Sequence, residues 1–277
     1  MLQTVLLGTD GSEHALQAAR FVAAIARPES TVIVLNVLDL TDVFSPYAMT
    51  PGIVPAPQAL VETAEEVQHR IVEKTCAVLD AAGITCRTRC ELGQTVDTIV
   101  RVAEEEHADL IVVGSQGLSG IVRFLIGSVS EGVARHAHCP VLVVRGERAA
   151  VRNILLAFDG SEASVRAARV AVMLATLQGA SLTVLTVREP ERSSALALEQ
   201  QEIVRRAEEA AGLSGAKHVL QFGEGHPAEV LLHYAQEQQA DLIVVGSRGL
   251  SNFQRLLLGS VSHAVLHHAS CPVLVVR

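Results

Sequence analysis

Short unbroken apolar runs alternate along this chain with longer stretches in which apolar residues recur every three or four positions. "TVLLG" from Thr4, "TVIVLNV" from Thr31 and "DLIVVG" from Asp109 carry Val, Ile and Leu without polar alternation, as strands covered on both faces do. The amphipathic stretches between them suit the crossover helices of a parallel sheet. The pattern predicts strands near 3–9, 31–38, 84–91, 109–114 and 140–145, with helices near 12–26, 58–82, 95–107 and 128–137.

The pattern then starts again. "TVLLGTDGSEHALQAARFVAAIA" is answered by "NILLAFDGSEASVRAARVAVMLA", "ADLIVVGSQGLS" by "ADLIVVGSRGLS", and "CPVLVVR" by itself. The offset is 149 residues between Asp10 and Asp159 but 132 between Gly114 and Gly246, so the first copy carries 17 more residues net. Most of the surplus is assigned to "LTDVFSPYAMTPGIVPAPQ", where Pro46, Pro51, Pro55 and Pro57 argue against helix. The expectation is two tandem doubly wound α/β domains, 1–146 and 151–277, each a five-stranded parallel sheet with helices on both faces.

Composition narrows the function classes. Hydrophobic residues make up 49% of the 277, yet no apolar run approaches the ~20 residues needed to span a bilayer, so no membrane segment is expected. A net charge of -8 speaks against nucleic acid, whose phosphates are held mainly by clustered Lys and Arg. Lysine is scarce: Lys74 and Lys217 stand alone, and neither lies beside a glycine-rich loop. The start "MLQTVLLGTDGSE" has no basic flank and apolar leader, and is read as cytoplasmic. Cys76, Cys86, Cys90, Cys139 and Cys271 are odd in number and make no CxxC; free thiols are expected, with neither a disulfide framework nor a zinc site.

The candidate chemistry lies in a repeated glycine loop. Gly114, Gly117 and Gly127-Ser128 recur as Gly246, Gly249 and Gly259-Ser260. Glycines let a ligand approach the backbone, and a helix starting after the last of them turns unpaired N–H groups toward an anion. Ser128 and Ser130, like Ser260 and Ser262, are candidates to cap that helix or to donate to a phosphate. Neither GxxxxGK[ST] nor GxGxxG is present. Phosphate recognition by amides, serines and arginine is the reading left.

Together, "DGSE", "ADLIVVG", the G-2x-G-9x-G-S spacing and "CPVLVV", all occurring twice, resemble the universal stress protein family. The resemblance implies strand order 3-2-1-4-5 and, in the motif-bearing branch, ATP bound at the strand ends, with Mg²⁺ as a candidate companion. It implies that Asp10 and Val37, with Asp159 and Val187 in the second copy, meet adenine and ribose. Gly114, Gly117, Gly127 and Ser128, with Gly246, Gly249, Gly259 and Ser260, then take the phosphate-contacting positions. It further implies a last strand used for dimerisation, so that 139–145 and 271–277 pair within the chain. A further homodimer and an unidentified protein partner are also expected.

Each residue also has a plainer role. Asp10 and Asp159 suit the shaping of a turn, with Ser12 and Ser161 as helix caps. Arg123 and Arg255, at the same place in the two loops, suit forked phosphate contacts or solvent. Gln116 stands where the second copy has Arg248, which predicts weaker binding at the first site unless the longer loop compensates. That loop, placed after strand two, is either a lid or a tolerated insertion. His136 and His138, and His263 and His267 at four-residue spacing, allow metal binding, but no pair recurs in both copies and interaction with helix C-termini is preferred. No catalytic constellation is assembled. The functional reading is an ATP-binding stress-response regulator, with a nucleotide-independent dimerising adaptor or a slow ATPase as alternatives.

Overall fold

Each apolar run forms a strand. The computed structural model describes residues 2–39, 57–117, 126–146, 150–188, 205–206, 209, 218–249 and 258–277. The first half builds β1 (Thr4–Gly8), β2 (Thr31–Leu38), β3 (Cys86–Leu92), β4 (Leu110–Gly114) and β5 (Val141–Val144). Among its described residues are the helices α1 (Glu13–Ile25), α2 (Pro57–Asp80), α3 (Thr95–Glu105) and α4 (Ser128–His136). The second half repeats the plan with β6 (Asn153–Ala157), β7 (Ser181–Arg188), β8 (His218–Glu224), β9 (Leu242–Gly246) and β10 (Val273–Val276). Among its described residues are α5 (Glu162–Gln178), α6 (Pro227–Glu237) and α7 (Ser260–His268).

Local chemistry sets the helix ends. Ser12 and Ser161 cap α1 and α5, accepting from Ala15 N–H at 3.3 Å and Ser164 N–H at 3.2 Å. Gly179 ends α5 at φ +61, a left-handed conformation that a Cβ would strain. Pro57 does not oppose helix as the sequence suggested: it opens α2, where a missing N–H costs no intrahelical bond. Pro46, Pro51 and Pro55, and with them the lid or insertion, lie outside the described residues. The Asp of each "ADLIVV" ties the sheet together. Asp109 Oδ2 accepts from the Gln3 and Thr4 amides at 2.8 and 3.1 Å, and Asp241 Oδ2 accepts from Arg152 and Asn153, both at 3.0 Å.

Within each half the strands are parallel in order 3-2-1-4-5, and the halves join into one ten-stranded sheet ordered β3-β2-β1-β4-β5-β10-β9-β6-β7-β8. The join is antiparallel, with Val143 opposite Val273, Leu142 opposite Leu274 and Val141 opposite Val275. Two apolar strands that would each be a sticky edge cover one another at the centre. Side chains alternate across the sheet. Leu7, Val34, Val112, Leu142 and Leu274 pack toward α1, α2 and α5, while Leu6, Ile33, Ile111, Val143 and Val273 pack toward the layer of α3, α4, α6 and α7. Both apolar layers run across the junction.

Half-buried arginines reinforce it reciprocally. Arg145, after β5, donates to the carbonyls of Leu266 and Ala269 at the end of α7, at 2.5 and 2.6 Å. Arg277, after β10, donates to Ala134 O near the end of α4 at 2.5 Å. Cations here meet the negative ends of helices in the other domain.

One cysteine expectation is corrected. Cys76 on α2 and Cys86 on β3 form a disulfide, their Cα atoms 6.0 Å apart. The turn after α2 sends β3 back beneath the helix, so residues ten apart in sequence face each other, which spacing alone does not reveal. Cys90, Cys139 and Cys271 are free thiols. Burial pushes the Cys139 thiol up to about 11, which leaves it unreactive at neutral pH. Among the described residues no helix is long and apolar enough to cross a membrane.

Candidate functional site

The winding direction reverses between β1 and β4, which are hydrogen-bonded neighbours, so the turns leaving their carboxyl ends diverge and open a cleft. In the first domain this cleft is a cavity of about 290 Å³. Asp10, Val37, Gly114, Gly117, Gly127, Ser128 and Ser130 all line it. These seven first-copy residues therefore meet at one place.

Two glycines explain how the walls come so close. A Cβ on Gly114 would stand 2.8 Å from the His14 carbonyl, backbone that cannot yield, so the residue lets α1 approach the end of β4. A Cβ on Gly117 would stand 2.8 Å from Asp10 Oδ2. The second copy repeats both approaches: Gly246 would meet the Ala163 carbonyl carbon at 2.8 Å and Gly249 would meet Asp159 Oδ2 at 2.6 Å. Each aspartate also shapes its own turn. Asp10 Oδ1 accepts from Ser12 N–H and Asp159 Oδ1 from Ser161 N–H, both at 3.0 Å.

The start of α4 supplies the positive end of the cleft. Gly127 is the N-cap and brings no side-chain cap, and Ser128 is the first helical residue. The Gly127 amide is committed to Ser115 O at 2.7 Å, and the first intrahelical bond runs from Glu131 N–H to Gly127 O at 3.0 Å. The amides of Ser128, Val129 and Ser130 precede that bond and form the helix's anion-facing end. Ser130 Oγ donates to Gly114 O at 2.6 Å, so its proton ties loop to helix and its oxygen is left to accept. In the second domain Gly259 N–H donates to Ser247 O at 2.8 Å and Ser262 Oγ donates to Gly246 O at 2.6 Å. Ser260 opens α7 as Ser128 opens α4.

Sequence reading missed several walls of the cleft. Thr9, Thr95, Leu35, Ile99 and Ile126 also line it. Thr95 had a signal, a hydroxyl at a helix start; the others are apolar or turn residues whose roles depend on neighbours far along the chain. Beneath the turn, Thr9 and Thr75 hydroxyls meet at 2.9 Å, and buried Asn36 donates to Thr9 O at 2.7 Å. Phe158 stands at the position of Thr9 in the second copy and is buried in the core. Gln116 lines the first cleft, whereas Arg248 is exposed and its carbonyl accepts from Ser161 Oγ at 3.3 Å. Val187 packs, half-buried, against the core layer beneath the second rim. Arg123 and Arg255 lie outside the described residues. None of the described residues lining the first cleft is Lys or Arg, so its positive potential comes from backbone amides and the helix dipole.

Comparison with known proteins gives this architecture a family. The model of the universal stress protein family matches residues 1–145 and again 150–277. A universal stress protein of Mycolicibacterium smegmatis is 30% identical over 292 residues, spanning 99% of this chain and 96% of that protein. One from Bacillus subtilis is 38% identical over 145 residues, 45% of this chain but 98% of its own length. Among solved structures, a universal stress protein from Archaeoglobus fulgidus superposes with a TM-score of 0.79 at 24% identity, covering 100% of this chain and 99% of that one. Two matched domains, a relative aligned end to end and a shared whole-chain fold lead to one conclusion: the chain belongs to the universal stress protein family, as a tandem member carrying two copies of its domain.

Proposed function

We propose that the protein is a cytoplasmic ATP-binding stress-response regulator, in which nucleotide held at the strand ends alters its contacts with a partner protein. The observation that carries this reading is the convergence of Asp10, Val37, Gly114, Gly117, Gly127, Ser128 and Ser130 on one cleft. The fit is chemical as well as spatial. Val37, Leu35 and Ile99 offer an apolar wall to a base, Asp10 a carboxylate to a ribose, and the first turn of α4 its amides to phosphates. Mg²⁺, where it accompanies the nucleotide, would neutralise phosphate charge, and Asp10 is the carboxylate nearest to hand.

The second site rests on Asp159, Val187, Gly246, Gly249, Gly259, Ser260 and Ser262, with Arg248 adding a charge that Gln116 lacks. Unequal affinity of the two domains, 1–146 and 151–277, follows from that difference. Binding rather than turnover is the reading because Asp10 is the sole carboxylate among the described lining residues, and its Oδ1 already holds the Ser12 amide. With β5 and β10 paired inside the chain, a second copy would have to dock elsewhere.

The test is equilibrium dialysis of labelled ATP against protein freed of nucleotide. Saturable retention at submillimolar ATP, lost stepwise in Gly117→Ala and Gly249→Ala, is expected. No retention would sink the reading and favour the nucleotide-independent adaptor.

A further inference from the structure

We infer that Glu131, His263 and His267 form a binding site for a divalent transition-metal ion of the zinc class, assembled across the junction of the two domains. The helices α4 and α7 are equivalents in the two copies, each opening on Ser-Val-Ser. Glu131 therefore takes the position of His263, and Arg135 that of His267. Sequence spacing put the two histidines on one helical face, but the carboxylate opposite them comes from the other domain.

Glu131 Oε1 lies 3.4 Å from His263 Nε2, and Oε2 lies 3.4 Å from His267 Nε2. The imidazole centroids are 4.2 Å apart, and ligand atoms of all three residues fall within 4.8 Å of one another. A tetrahedral ion with bonds of about 2.0–2.1 Å separates its ligands by about 3.4 Å, so the groups already stand near the required spacing. Two imidazoles and a carboxylate suit zinc better than a hard ion, and leave a fourth position for water.

A second observation points to a ligand. His267 Nε2 is buried and makes no hydrogen bond, an unmet polar atom of the kind native structures rarely keep. Arg135 Nη2 donates to Oε1 at 2.6 Å, fixing the carboxylate while Oε2 faces His267. The cluster is also accessible: the Glu131, His263 and His267 side chains are 26%, 44% and 20% exposed, so an ion can enter.

The ion would clasp the domains one turn below both helix starts, and by binding the folded form alone would stabilise it. Full-length protein stripped with chelator is titrated with zinc chloride by calorimetry and melted with and without zinc. One zinc per chain and a zinc-dependent rise in Tm are expected, with Co²⁺ giving the visible bands of a tetrahedral site. His263→Gln, at a half-exposed position, should keep the metal-free melting temperature yet lower affinity at least about 100-fold, beyond what a lost supporting contact costs. Glu131→Gln should do the same. Absence of saturable binding at micromolar zinc would overturn the inference. So would zinc binding that His263→Gln and Glu131→Gln leave unchanged, since that ion would sit elsewhere.

Discussion

Gly114 and Gly117 are three residues apart and answer to different constraints. A Cβ at Gly114 meets backbone of α1, so Gly114→Ala is expected to cost about 1–3 kcal/mol of stability, read from the denaturant midpoint. A Cβ at Gly117 meets a side-chain oxygen of Asp10 rather than backbone, so Gly117→Ala should lower the midpoint by less than Gly114→Ala does. It should weaken ATP retention about tenfold, the lower worth of a hydrogen bond to a charged group. Equal loss of stability in both variants would contradict this division. Spacing marked both glycines as important; it could not distinguish them, because the atoms they approach belong to residues some 100 positions away. Ser130 is similar. Its hydroxyl holds the Gly114 carbonyl, so Ser130→Ala should cost about 1–3 kcal/mol by leaving that acceptor unmet.

Among elements, β3 and α3 are joined by charge. Arg89 bonds Glu91, Glu105 and Glu106 at 2.6–2.8 Å, while Arg101 reaches Glu91 and Glu105 and Arg87 reaches Glu106. Arg89 is the main cause lowering the Glu91 and Glu105 carboxyls, and Arg87 the main cause for Glu106. Because all three lie below their usual 4.5 in the folded state, the unfolded chain binds protons more readily. Their contribution is complete above about pH 4.5 and is lost as pH falls through the folded values. Melting temperature followed from pH 6 downward should fall below about pH 4.5, and fall less steeply in Arg89→Gln. Such a charged strand also suits the outer edge of a sheet. The alternation of apolar runs and amphipathic stretches revealed which elements form, while the charges along "CRTRCEL" did not reveal their partners on α3.

For the whole molecule, the junction decides cooperativity. Arg145 and Arg277 each reach carbonyls of the opposite domain, and both core layers continue across β5 and β10. Arg145→Ala leaves two buried acceptors unmet and should cost about 3–6 kcal/mol, from two bonds of about 1.5–3 kcal/mol each to a charged donor. Calorimetry of wild type should give a single transition, and Arg145→Ala combined with Arg277→Ala should separate it into two. A single unshifted transition in the double variant would mean that the apolar layers alone couple the domains.

The duplication, the strands, the helices and the glycine loops follow from sequence because each expresses a local rule: apolar periodicity, caps, and backbone freedom at fixed spacing. The same rules placed Asp10 and Gly114 on neighbouring turns once β1 and β4 were taken as neighbours. Tertiary structure alone decided what depends on distant residues sharing space. It joined Cys76 to Cys86, committed the Ser130 hydroxyl to Gly114, and set Glu131 of one copy against His263 and His267 of the other. Those contacts arise from the turn after α2, the loop between β4 and α4, and the antiparallel join of β5 with β10, and the local pattern at either partner does not name the other.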